Sequence, residues 1–91
     1  MEEINSSKIV IQKSFSGSKG YIFIRKIFPD SKLVNTTLKY NKFKDDTLLF
    51  YIRDEQLYTL ENNIIINSND LIVAFTIAKN NQKIKEWLYE L

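Results

Sequence analysis

The 91-residue chain has no cysteine and no histidine. The first absence excludes a disulfide framework and a thiolate metal site, and it suits a reducing compartment. The second removes the usual general base and the best transition-metal ligand. There is one proline, Pro29, and only two glycines, Gly17 and Gly20, which share one loop. Turns elsewhere must therefore come from Asn, Asp and Ser, whose short side chains bond to nearby backbone and, for Asn and Asp, tolerate the left-handed region. No apolar run approaches the roughly 18–20 residues of a membrane-spanning helix. The start, Met1-Glu2-Glu3, is acidic where a signal peptide is basic. A cytoplasmic protein with no membrane partner is the expectation. Asn5-Ser6-Ser7 and Asn35-Thr36-Thr37 fit the N-glycosylation pattern, which has no meaning without a secretory route.

Hydrophobic residues make up 44% of the chain and charged residues 26%, the balance of a soluble domain with a packed core. At this length a single domain, residues 1–91, is expected. The formal net charge of +2 hides an asymmetry. Residues 8–44 carry nine Lys or Arg against Asp30 alone, whereas residues 45–91 carry four against eight acids. The chain is electrically two-ended, and such a field steers a charged partner to one side unless the two halves interleave in space.

Apolar and polar residues alternate from Lys8 to Phe15 and again from Tyr21 to Phe28, reading as two strands joined by Ser16-Gly17-Ser18-Lys19-Gly20. Val34, Thr36, Leu38 and Tyr40 give a third alternation, and Thr47 to Arg53 a fourth. Shorter β-like runs follow at Leu57 to Leu60 and Ile64 to Ile66. The fold class is therefore α+β, an antiparallel β-meander of about four to six strands covered by a C-terminal helix. Ser68 as N-cap and Asp70 in a first turn place the start of that helix near Asn69. The segment "LIVAFTIA" is apolar on every side and rich in β-branched residues, so the alternative is a strand there and a helix from Asn80. Either way "KIKEWLYEL" is amphipathic, with Ile84, Trp87, Leu88 and Leu91 on one side.

Lys19-Gly20-Tyr21, Phe23 and Ile24 occupy the positions where the ribonucleoprotein motif puts a basic residue, a glycine, two aromatics and an aliphatic residue. Ile22 stands in place of the small residue that lets a base lie close, and Lys26 in place of the final aromatic. In an RNA-recognition motif this strand follows a first strand and a helix. The 18 residues before Lys19 are too few for both, which excludes that family. Phe15, Lys19, Gly20, Tyr21 and Phe23 also resemble, in order and spacing, a stretch of the cold-shock domain, an oligonucleotide-binding barrel. The resemblance covers this stretch alone; Ile22 replaces its second glycine, and its later phenylalanine-histidine strand has no counterpart. It implies single-stranded nucleic-acid binding, with Tyr21 and Phe23 as stacking faces beside the cation Arg25. The residue pattern alone also allows Tyr21 and Phe23 to face the core, as aromatics at alternate strand positions usually do. A Walker loop is excluded, because Gly17 and Gly20 are too close together and a strand follows them.

Asp45-Asp46 and Asp54-Glu55 are paired carboxylates, but each lies in a turn, where acids are ordinarily solvated. Ser18-Lys19 would need a desolvated lysine, and an exposed loop works against that. The chain is therefore expected to be no enzyme and to hold no metal or cofactor, and to work by binding. It is similar in size and character to small motif-free proteins of phages and mobile elements, including anti-CRISPR proteins. Its 13 Ile, 9 Asn and 11 Lys point to the AT-rich coding common in such elements. The similarity implies a protein-protein inhibitor or adaptor acting on a larger nucleic-acid-handling protein. Two alternatives stay open: a module binding single-stranded nucleic acid through a basic, aromatic N-terminal sheet, and a structural homodimeric subunit. The candidate binding residues are Lys19, Tyr21, Phe23, Arg25, Lys26, Lys39, Lys42 and Trp87.

Overall fold

Runs rich in Ile, Val, Phe and Tyr fit a pleated, half-buried surface, and in the computed structural model they become strands. It describes residues 10–15, 17, 19–40, 43 and 46–91. In chain order the elements are β1 (Val10–Phe15), β2 (Gly20–Lys26), β3 (Thr37–Leu38), β4 (Leu48–Arg53), β5 (Gln56–Thr59), β6 (Ile64–Ile65) and β7 (Leu71–Ile77). A 3-10 turn, Ala78–Asn80, then leads into helix α1 (Asn81–Tyr89). Five strands form one antiparallel sheet in the order β1-β2-β7-β4-β5, and β3 pairs with β6 in a separate two-stranded sheet. The α+β class and the C-terminal helix are as the periodicities imply.

The helix does not start at Asn69. Residues 71–77 form the central strand, with β2 on one side and β4 on the other. A segment apolar on every side and rich in Ile and Val finds a strand on both edges and the core on one face there, and β-branched residues suit a strand better than a helix. Ser68 and Asp70 lie in the turn that precedes this strand and cap no helix. The third alternation also shrinks to Thr37–Leu38. Upstream, Leu33 N–H donates to Ser31 Oγ, Thr36 Oγ1 donates to the Leu33 carbonyl, and Asn35 is left-handed at φ 70°, so side-chain bonds wind the backbone into turns.

Helix α1 and the β3–β6 pair cover one face of the large sheet. Phe23, Leu49, Ile72 and Ala74 point to that side and meet Ile84 and Leu88 of α1, Leu38 of β3 and Ile66 beyond β6. The molecule measures 36 × 35 × 22 Å, and its short dimension is that of two layers. Helix α1 has no acid in its first turn and no base in its last. The missing cation comes from the sheet: Arg25 of β2 is 1% exposed and its Nη1 donates to the Leu88 carbonyl and, at 3.2 Å, to that of Leu91. A positive charge at a helix C-terminus offsets the partial negative charge of its last carbonyls. Burial lowers the Arg25 pKa, but an arginine remains charged at ordinary pH.

Candidate functional site

Side chains alternate across a strand, so the residues between those of the core all point to the second face. The registers align them in rows. Ile11 stands beside Ile24, Val73, Phe50 and Thr59; Lys13 beside Ile22, Phe75 and Leu48; Lys26 beside Leu71, Ile52 and Leu57. Apart from Thr59 and the two lysines these positions are apolar, and no described element lies over them. Ile11 is 49% exposed, Phe15 47%, Leu48 58% and Leu57 62%. Phe50 and Phe75 meet edge to face at 5.8 Å between centroids.

At one end of this face Phe15, Lys19, Gly20, Asp46, Leu48, Phe75 and Ile77 line a groove of about 290 Å³. Phe15 is the cross-strand partner of Gly20, and a Cβ on Gly20 would lie 2.5 Å from its ring. The ring packs on bare backbone. That contact accounts for the glycine of the Lys19-Gly20-Tyr21 stretch, where the cold-shock resemblance implies a nucleotide.

The residues singled out in the sequence scatter over the molecule. Phe23 is fully buried and Arg25 nearly so, both on the helix-covered face, and Tyr21 is half-buried beside Phe23 at 6.3 Å between rings. These three build the core and the helix cap, so they form no exposed stacking platform. Nor is the implied barrel closed among the described residues, since β1 and β5 are the ends of the strand order. Lys19 and Lys26 are exposed at opposite ends of β2, and Lys26 lies 5.3 Å from the Phe28 ring centroid. Lys39 follows inward-facing Leu38 and is exposed on the other side of the molecule. Lys42 lies outside the described residues. Trp87 is half-buried, with its ring edge to face on Phe43 at 5.3 Å.

Asp54 and Glu55 form the two-residue turn of the β4–β5 hairpin, both left-handed at φ 53° and 67°, with exposed side chains. Asp45 lies outside the described residues. Among the described residues no three acids, His or Cys gather as a metal site, and no helix is long and apolar enough to cross a membrane.

The open face was missed by reasoning from single strands. Its signal is present nonetheless: "GYIFI" and "LIVAFTI" are apolar on both sides, which asks for cover on both faces, while the described residues hold one α-helix. Compared with known proteins, the chain matches no protein-family model and no curated protein sequence.

Proposed function

We propose that the protein is a non-enzymatic cytoplasmic binding domain, of the inhibitor or adaptor class, that docks another polypeptide on the open apolar face of its five-stranded sheet. The observation that carries this reading is the exposure of Ile11, Phe15, Leu48 and Leu57, each about half or more, on one face whose other positions, Lys13, Lys26 and Thr59 apart, are apolar. Fully burying a Leu, Ile or Phe side chain is worth about 1.5–3 kcal/mol. Covering four half-exposed ones therefore recovers on the order of 4 kcal/mol before the costs of association are met. The centre of the face, at Val73, is shielded by its neighbours, but a monomer rarely leaves several large apolar side chains of one face half exposed to water.

Nucleic-acid binding lacks such support, because Phe23 and Arg25 are occupied inside the fold, which leaves the exposed lysines of the β1–β2 hairpin without the stacking pair beside them. Leu48→Lys and Leu57→Lys change residues the fold leaves in water, so stability should hold while binding to the protein partner isolated from the native source is lost. Tight, salt-sensitive binding of single-stranded DNA or RNA, abolished by charge reversal at Lys19 and Lys26, would overturn the reading.

A further inference from the structure

We infer that the occupant of the open face is a second copy of this chain, packed face to face about a two-fold axis running along the strands. The inference rests on the protein-docking reading of that face and names its partner.

The first argument is charge. The β1–β2 hairpin, residues 10–26, carries the exposed Lys13, Lys19 and Lys26 and no acid. Residues 46–61, which hold β4 and β5, carry Asp46, Asp54, Glu55 and Glu61 against Arg53 alone, and that arginine is paired with Asp70. Strand β7 lies between the two hairpins and is uncharged. The two-ended charge of the sequence is thus laid out across the sheet, basic at one edge and acidic at the other. A two-fold axis along β7 places the basic edge of each copy over the acidic edge of its partner. An axis across the strands would instead set β1 on β1, lysine against lysine, which is unfavourable.

The register sharpens this to one pair. Lys13 shares a row with Ile22, Phe75 and Leu48. The β4–β5 register ends at the Phe50–Thr59 pair, the Leu60 N–H still bonds the Leu49 carbonyl, and Glu61 follows directly, at the Leu48 end of β4. Lys13 and Glu61 therefore end the same row at opposite edges, and both are exposed. Rotation about an axis along the strands keeps the row and exchanges its ends, so Lys13 of one copy meets Glu61 of the other, twice.

Size and geometry agree. Five strands about 4.8 Å apart, with about six residues each at 3.3 Å per residue, offer roughly 500 Å² of face per copy and about 1,000 Å² for the pair. That reaches the lower bound for a specific interface. Two twisted sheets pack with their strands nearly aligned, as this axis requires. Edge pairing is less suited, because β5 has four residues and β1 carries Lys13 at its middle.

The test uses the full chain and sedimentation equilibrium. A dimer is expected at micromolar concentration. Lys13→Glu and Glu61→Lys should each raise its dissociation constant about tenfold, and the double swap should restore it. Failure of the swap to restore dimerisation overturns the proposed axis. Because the chain lacks cysteine, single introduced thiols report orientation cleanly. Ile11→Cys mixed with Thr59→Cys should form a mixed disulfide on oxidation, whereas Ile11→Cys linking to itself overturns the axis. A chain that stays monomeric at high micromolar concentration overturns self-association. If that monomer binds an environment-sensitive apolar dye and Leu48→Lys abolishes the signal, the docking face stands with another protein as its occupant. If it binds no dye, the docking reading falls as well.

Discussion

Arg53 holds Asp70 at two points, with Nε 3.0 Å from Oδ1 and Nη2 2.7 Å from Oδ2. The carboxylate is 1% exposed and also accepts the Asn67 N–H at 2.9 Å, while Arg53 Nη2 donates to the Ile65 carbonyl at 2.8 Å. The Arg53 guanidinium lies over the Tyr51 ring, 5.0 Å from its centroid. One ion pair thus joins β4, the turn into β7 and the small sheet. Asp70→Ala should cost about 2–3 kcal/mol in urea unfolding, less than for a fully buried pair, because Arg53 is partly hydrated and can return to water. A loss under about 0.5 kcal/mol would reduce the pair to a surface bridge.

Arg25→Ala removes the cation at the end of α1 and leaves a void beneath the helix. A loss of about 3 kcal/mol is expected. Amide exchange within residues 81–89 should accelerate more than exchange in β7, which hydrogen-exchange mass spectrometry resolves. Equal acceleration in both would show that the arginine holds no particular element.

Stability should be nearly flat, within about 0.5 kcal/mol, between about pH 6 and 9. No histidine or cysteine titrates there. The hydrogen bond to Asp70 raises the Arg53 pKa, so its contribution is complete below the ordinary arginine value and is lost only as pH rises through the higher folded one. Burial lowers the Arg25 pKa, so the cost of keeping it charged is constant at neutral pH and is relieved only on strongly alkaline titration. Urea midpoints across this range check the expectation; a sloping plot would reveal a further titrating group.

Glu55→Gly should stabilise the fold by about 0.5–1 kcal/mol. A left-handed backbone costs a residue bearing a Cβ about 1–2 kcal/mol, and the greater freedom of glycine in the unfolded chain offsets part of the gain. Thermal melts of the variant give the sign directly.

Gly20→Ala should cost about 1 kcal/mol, because the new Cβ displaces the Phe15 ring from the backbone it covers. In a Phe15→Ala background the same change should be neutral or stabilising, since alanine suits a strand better than glycine does. An equal cost in both backgrounds would remove the ring contact as the reason for glycine.

Much of this protein was legible in its residues. Alternation located β1, β2 and β4, and a short β-like run located β5, because each pairs with a neighbour close in sequence. The poverty in glycine foretold Asn and Asp in left-handed turns, and Asn35, Asp54 and Asn69 occupy them. The charge asymmetry was a matter of counting.

Tertiary structure decided the rest. Whether 71–77 became helix or strand depended on two strands remote in sequence offering a slot between them, which local periodicity does not register. The same pairing chose the direction of every side chain on β2: alternation grouped Tyr21, Phe23 and Arg25 together, but only the position of α1 made theirs the buried face, and so took the apparent stacking motif inside. Among the described residues the apolar face opposite has no cover, because one helix covers one face of a sheet. Side-chain alternation is a property of the strand itself, whereas the choice of the face that meets water belongs to whatever packs against it.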